Sequence, residues 1–504
     1  MRKAKSNNRR GDQSRTAMNL IRLRDGQSVP FEVVTSLNGG RNADVIPPPA
    51  AQSLTQETQF EAFRDGTIID LIRGRSGDVG FVVWRNGVST FHRTFQDGYT
   101  TLVPPKVHRS FGDALRLPNA LGTSETARTL LSEIDELLGT YLDLDQSDRK
   151  LVAYFALCTW LNGLLHTAPY LWIIGPFSVG KTTLLRLLSA ICRRSILAGD
   201  VSAAALYTLT STLLPTLLLD EFDPTGDAPN RSLMRLLRNG SSQGQNVLRD
   251  SRAYDVFGPK VLCSRQGVGD AALASRGLVV AMRPPIRDLP PLDPDVLTGI
   301  ADRLQPKLLR FRLENYTRVK PVALASSYLS PRMRDIARAL GLPLLGDPEL
   351  EGELLEIIKP HDAQARTDRR GEPEWVVMTA LLGTIHIRGA GSALLTVKKL
   401  TSVVEFNLAN AGESYHLEPR KVGEILRSLG FPTERLGSLG RGLRISRDLV
   451  RSIHITARNL GICRADTHVP EDIVERFGGT FEECEKDGFG GTCRDCEEAG
   501  LIVR

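Results

Sequence analysis

The stretch that decides the fold is "LWIIGPFSVGKTTLLRLLSAIC", residues 171–192. Leu171 to Ile174 read as a short buried strand, and the leucine-rich run from Lys181 has the spacing of a helix. Between them lies "GPFSVGKT" (Gly175–Thr182), in the strand-to-helix context that a phosphate-binding loop needs. Its two glycines permit the tight backbone angles at which successive N–H groups turn inward on phosphate oxygens. The expected nucleotide contacts are Gly175, Pro176, Phe177, Ser178, Val179, Gly180, Lys181, Thr182 and Thr183. In such a loop the Lys181 ammonium reaches the β- and γ-phosphates, and the Thr182 hydroxyl ligates Mg²⁺.

Further on, "PTLLLDEFD" (Pro215–Asp223) is a buried strand that ends in carboxylates. Asp220 is placed to share the Mg²⁺ with Thr182 at the carboxyl end of a strand, where open α/β sheets bind ligands. Glu221 is placed to polarise an attacking water, which favours hydrolysis over a passive switch. Asp223 reads as a second acid or as the N-cap of the next segment, the cap being the first choice.

Residues 171–282 alternate strand-like and helix-like runs, which predicts a parallel sheet with helical crossovers. Five strands are expected, at 171–174, 195–199, 216–220, 260–264 and 277–282. At the end of the fourth, "VLCSRQ" (Val261–Gln266) brings a polar side chain near the γ-phosphate. Gln266 is the first choice for that sensor and Ser264 the second; an ordinary polar loop is the other reading. In "DAALASRGLVVAM" (Asp270–Met282), Arg276 stands at a corner before the fifth strand. An arginine there can serve the nucleotide of a neighbouring subunit, or be a surface residue in a turn.

These motifs, with "FGPKVLCSRQ" (257–266) and "LSPRMRDIARAL" (329–340), resemble AAA+-type P-loop ATPases of the superfamily 3 helicase and MCM-like group. They look most like the ATPase domains of phage, plasmid and integrated-element replication proteins. The 39 positions from Lys181 to Asp220 suit that compact core, and the resemblance spans roughly residues 151–345. It implies ATP and Mg²⁺, the additional-strand sheet, and catalysis by Lys181, Glu221, Gln266 and Arg276, the last acting in trans within a homo-oligomeric ring such as a hexamer. It places Arg332 or Arg334 in a lid. Gln266 stands where an Asn is commoner, and no primase motif precedes the core.

On the far side of the lid, Val397–Ala409 and "EPRKVGEILRSLG" (418–430) read as helices, the second with Pro419 in its first turn. Two β-prone runs joined by "GSLGRG" and a further helix, "RDLVRSIHITARNLG" (447–461), complete the layout of a winged helix. Arg420, Lys421 and Arg427 would lie on or near the recognition helix, and Arg435, Arg441 and Arg444 on the wing. DNA is the expected partner; a protein-docking module is the alternative.

On the amino-terminal side, "GTIIDLIRG", "DVGFVVWRNG" and "VSTFHRTF" (between 66 and 95) predict a small antiparallel β unit, and a helix is expected from Ser124. Before them, residues 1–24 carry eight basic residues and one acid, a solvated tail or a basic arm for nucleic acid. "IPPPAAQSLTQETQ" (46–59) reads as linker. The expected architecture is therefore α/β. It divides into a basic arm and linker (1–65), a β-rich unit (66–120) and a P-loop NTPase core with a five-stranded parallel sheet (121–290). A helical lid (291–370), a winged helix (371–460) and a cysteine-containing tail (461–504) follow.

With 504 residues, 41% of them hydrophobic and 24% charged, the chain has the composition of a multidomain globular protein, and the net charge of +6 is modest. Cys158, Cys192 and Cys263 lie in apolar segments and read as buried thiols of a reducing, cytoplasmic setting. His166 and Pro169 interrupt the apolar stretch 151–175, so no membrane span is expected there. In the tail, Cys493 and Cys496 have the gap of a metal knuckle; with Cys484 and either His468 or Cys463 they would make a zinc site. Free surface thiols are the other reading. The expected function is an ATP-dependent motor acting on DNA, a helicase or replication initiator of a mobile element. The alternatives are a DNA-bound regulatory or defence-associated ATPase switch whose output is oligomerisation, and a structural ATPase that docks a protein partner.

Overall fold

The computed structural model describes residues 20–22, 28–30, 54–106, 115–199, 203–222, 228–249, 251–265, 267, 271–319, 324, 329–369, 372–386, 394–410, 415–460 and 462. The chain forms two units, Met1–Ser53 and Leu54–Arg504. In the first, β1 (Leu20–Arg22) pairs antiparallel with β2 (Ser28–Pro30), inside the stretch expected to be an unstructured arm.

The larger unit starts with two small sheets. β3 (Leu54–Glu57) and β4 (Phe60–Ala62) fall where a linker was expected. β3 is exposed along its whole length, so its side chains carry no burial pattern, and it is held by parallel backbone pairing to a later strand. β5 (Ile68–Arg73), β6 (Val79–Arg85) and β7 (Val88–His92) continue from β4 as a four-stranded antiparallel sheet in sequence order. β8 (Phe95–Asp97) and β9 (Thr100–Val103) complete the second sheet, of order β3-β9-β8. β5 and β6 are buried on both faces. Ile68, Ile72, Val82 and Trp84 join the main core, while Ile69, Leu71, Phe81 and Val83 pack with Ile196, Leu209 and Leu213. The β unit is therefore built into the chain's central mass.

α1 (Ala127–Tyr141) starts later than expected: its cap is Thr126, which accepts from the Thr129 N–H, and not Ser124. α2 (Gln146–Thr159) is buried from Leu151 onward, and a 3₁₀ turn at Asn162–Leu164 leads into β10 (Tyr170–Ile174). Then come α3 (Lys181–Ile191), β11 (Ile196–Ala198), α4 (Ala203–Leu213), β12 (Leu217–Leu219) and α5 (Ala228–Asn239). A hairpin, β13 (Val247–Arg249) and β14 (Arg252–Tyr254), precedes β15 (Lys260–Ser264), the short α6 (Ala271–Ala274) and β16 (Gly277–Ala281).

The five expected strands form one sheet, all parallel, in the order β11-β12-β15-β10-β16. β15 thus lies between the strand that feeds the glycine loop and the strand that ends in Asp220. Along β10, Leu171 and Ile173 face the main core, whereas Tyr170 and Trp172 face a second one with Leu206, Leu217, Leu236 and Leu262. Burial on both faces explains why these strands read as continuous apolar runs.

α7 (Pro294–Asn315), α8 (Pro331–Gly341) and α9 (Pro348–Arg369) make the expected helical region, and α9 runs through Pro360. A module with its own core follows, made of α10 (Pro373–His386), β17 (Leu394–Thr396), α11 (Val397–Asn410), α12 (Pro419–Ser428), the exposed β18 (Glu434–Arg435), β19 (Arg441–Arg444) and α13 (Arg447–Asn459). β17, β19 and β18 form an antiparallel sheet in that order. Among the described residues no helix is long and apolar enough to cross a membrane. Cys158, Cys192 and Cys263 are buried free thiols.

Candidate functional site

β10 delivers the chain into the Gly175–Gly180 loop at the carboxyl edge of the sheet. A Cβ at Gly175 would come 2.6 Å from the Met282 carbonyl, where the chain leaving β16 passes over it. Gly180, the N-cap residue of α3, has φ +91, and Ser178 at φ 61 is also left-handed. The turn therefore leads directly into the first turn of α3, whose N–H groups have no partners within the helix. Lys181 Nζ donates to the Gly175 and Pro176 carbonyls, both at 2.5 Å, so the ammonium lies within the curl of the loop. Val179 is buried and pins the loop, while Phe177 stands out from it at 63% exposure.

The acidic strand meets this loop across the sheet. Asp220 N–H donates to the Ala198 carbonyl at 3.0 Å and Phe222 N–H to the Cys263 carbonyl at 2.7 Å, which fixes the turn after β12. Thr182 Oγ1 then donates to Asp220 Oδ2 at 3.1 Å. The other carboxylate oxygen accepts the Glu221 N–H at 3.0 Å. Glu221 is exposed, with its backbone in the left-handed region at φ 52, an uncommon state for a residue with a Cβ. Lys181, Thr182 and Asp220 are thus brought together, with Glu221 beside them. A hydroxyl and a carboxylate make a hard-oxygen donor set of the kind Mg²⁺ prefers, so these residues fit the ion.

Ser264 ends β15 and is buried; Gln266 and Asp223 lie outside the described residues. Between the two sensor choices stands a residue that motif reading passed over. The guanidinium of Arg265 stacks 3.7 Å over the Phe177 ring, placing a cation against the glycine loop. The available signal was a basic residue directly after a central strand, paired with an aromatic inside the loop.

Arg276 is placed elsewhere. Tyr170 pairs with Gly277, so Arg276 lies at the amino end of the sheet, a five-residue strand or roughly 16 Å from the glycine loop. Its Nε donates to the Arg238 carbonyl at 3.0 Å and to Ser241 Oγ at 3.1 Å. Arg332 shares that corner and donates to Ser275 Oγ at 2.6 Å, while Arg334 contacts the Leu329 carbonyl at 3.2 Å. The structure does not place Arg276 or Arg332 against the loop of the same chain.

"NVLRDSRAY" folds as a hairpin, with Ser251 at φ 61 in its turn. Arg249 stacks on Tyr207 at 4.9 Å and Tyr254 lies 5.9 Å from the same ring, so both fold back on α4. Leu248, 78% exposed, and Arg252 project from it. Lys260 secures the base, donating to the Val256 and Gly258 carbonyls at 2.9 and 2.8 Å.

In the carboxyl-terminal module, Arg420, Lys421 and Arg427 on α12 and Arg435, Arg441 and Arg444 along the hairpin are all exposed. Arg444 is paired with Glu434 at 2.9 Å, and Glu424 lies 3.5 Å from Arg420. Cys463, His468, Cys484, Cys493 and Cys496 lie outside the described residues; among those described, no group of three or more His, Cys, Asp or Glu is placed to hold a metal.

No family model matches the chain. No curated protein matches it either. Three solved apo structures of the NrS-1 C-terminal region align with 75% of this chain and 96–97% of theirs, at 10–11% identity and TM-scores of 0.32–0.34. A likeness this loose leaves function to the geometry of the chain itself.

Proposed function

We propose that the chain is an ATP-hydrolysing P-loop motor of the additional-strand, AAA+-like class that acts on DNA, as a helicase or replication initiator does. The observation that carries this reading is the Thr182–Asp220 contact at 3.1 Å, between the first turn of α3, which follows β10, and the end of β12, with β15 between those two strands. The loop's N–H groups and Lys181 hold the triphosphate, and Arg265 adds a cation beside it. Bound to Thr182 and Asp220, Mg²⁺ supplies charge neutralisation at the phosphates. Glu221, projecting from the turn after β12, orients and polarises the attacking water. Arg276 serves the site of the next subunit, which its distance from its own loop supports.

DNA enters the reading through two features. The exposed tip of the β13–β14 hairpin precedes the central strand, where a motor needs a moving contact. The α10-β17-α11-α12-β18-β19 order supports a winged-helix reading, with six exposed basic residues on α12 and the hairpin after it.

ATP turnover with single-stranded DNA, duplex DNA or none, beside Glu221→Gln and Arg276→Ala, tests the proposal. Stimulation by DNA that both variants lose supports an oligomeric motor. Turnover indifferent to nucleic acid overturns the motor, and binding without turnover leaves a switch.

A further inference from the structure

The described residues enclose a cavity away from the glycine loop. A volume of about 670 Å³ opens between the end of β5, residues 115–119, the middle of α3 and the first half of α7. Arg73, Arg116 and Arg186 line it against one carboxylate, Asp302, which already accepts from Asn119 Nδ2 at 2.8 Å. Arg116 and Arg186 make no side-chain hydrogen bond or ion pair among the described residues, although both are half-buried. Burial makes the charge on Arg116 costly and lowers its pKa; Arg186 pushes the same way and Asp302 opposes it. Asp302 is the single carboxylate in the lining, so the arginines leave net positive charge in the cavity, suited to phosphate oxygens. Leu115, Leu117 and Leu297 give the same cavity an apolar wall. A pocket of this size, lined about equally by polar and apolar surface, is of the dimensions that small ligands occupy.

We propose that this cavity is a second ligand site, for a small phosphorylated molecule of nucleotide size. It is separate from the glycine loop. Arg186 follows Lys181 by five residues on α3, roughly 7 Å along the axis and well round the helix from it. The shared helix gives the two sites a common rigid element, yet each has its own cationic groups.

The experiment measures calorimetric binding of ADP and of inorganic pyrophosphate to the full chain carrying Lys181→Ala. Saturable binding of at least one probe is expected there, weakened at least tenfold by Arg116→Gln or Arg186→Gln and abolished by both. Removing the opposing carboxylate with Asp302→Asn should tighten it several-fold. Circular dichroism and melting temperature check folding; if Arg116→Gln fails to fold, Arg186→Gln and Asp302→Asn decide. Absence of binding at millimolar probe overturns the proposal, as does binding that ignores these variants or capture of oligonucleotides alone. Failure of the ATPase reading shows separately, as equal ADP stoichiometry in the wild type and Lys181→Ala.

Discussion

Arg312 donates from Nε to Asp70 Oδ2 at 2.6 Å, joining α7 to β5 across 242 residues of chain. Arg193 reaches both oxygens of the same carboxylate at 3.1 and 3.2 Å, and Arg194 also bonds Oδ1. All four side chains are buried. The surplus guanidinium donors are shared out: Arg312 to the Trp160 carbonyl at 2.6 Å, Arg194 to Gln59 Oε1 at 3.0 Å and the Leu213 carbonyl at 3.1 Å. Among the described residues, Asp70 is thus the one anion paired with these three buried cations where the β unit meets the sheet. Asp70→Asn should cost about 3–5 kcal/mol, because it strands buried charges. A urea titration followed by tryptophan fluorescence measures it; a shift below 1 kcal/mol would show that the cluster contributes little.

The same carboxylate sets an acid limit. Burial alone would raise its pKa, but Arg193, Arg194 and Arg312 together hold it well below the ordinary carboxylate range. A folded-state value below the unfolded one means stability that is present above about pH 4 and lost as the pH falls below it. Wild-type stability should therefore drop steeply below pH 4, and Asp70→Asn should flatten that limb.

Asp148, in the first turn of α2, works in the opposite sense. Burial, aided by Asp145 and opposed by Arg283, pushes its carboxyl up to about 6. Its contribution is then full below the unfolded value near 4 and lost as pH rises through 6. Asp148→Asn should leave stability at pH 4 unchanged and raise it at pH 8 by about 1 kcal/mol, allowing for partial exposure. Melting temperatures at the two pH values decide; an equal shift at both would point to packing instead.

The Thr182–Asp220 contact predicts a metal phenotype. Thr182→Ala and Asp220→Asn should each raise the Mg²⁺ concentration for half-maximal ATP turnover by about tenfold or more. Nucleotide affinity in EDTA should change little, because the loop N–H groups and Lys181 remain. If ADP binding in EDTA falls as far as Mg²⁺-dependent turnover does, the two residues are holding the loop together instead.

How much was legible follows from how local each signal is. The glycine loop, "TLLLDE" and all five strands could be read because short apolar runs bracketed by polar residues mark strands buried on both faces. Their strand ends fall within about one residue of expectation. α12 was legible because Pro419 opens it and its apolar residues recur at helical spacing. The Asp70 cluster was not, since Arg193 lies 123 residues away and Arg312 nearly twice that. Its single trace is an Asp within "IIDLI" on the strand face that holds Ile68 and Ile72. β3 was missed for lack of burial, and α10 because it is apolar nearly all round. Arg265 was passed over because its role depends on Phe177, 88 positions earlier and brought near only by the sheet order.

The basic residues of the carboxyl-terminal module divide by their neighbours. Arg441 is exposed with no acidic partner among the described residues, and Arg420 is held only loosely by Glu424 at 3.5 Å. Arg444 is neutralised by Glu434 at 2.9 Å. A cation that meets a phosphate releases counterions, so each true contact contributes about 0.9 to the log–log salt slope of duplex binding. Arg420→Ala and Arg441→Ala should each lower the slope by about that amount and weaken binding evenly across DNA sequences. Arg444→Ala should change it least, because an ion pair that stays within the protein frees no counterion. Fluorescence anisotropy from 50 to 200 mM salt reads all three slopes. If Arg444 proves the most sensitive, Glu434 gives way on binding and the wing itself is the principal phosphate contact; if no slope changes, α12 and its hairpin face a protein.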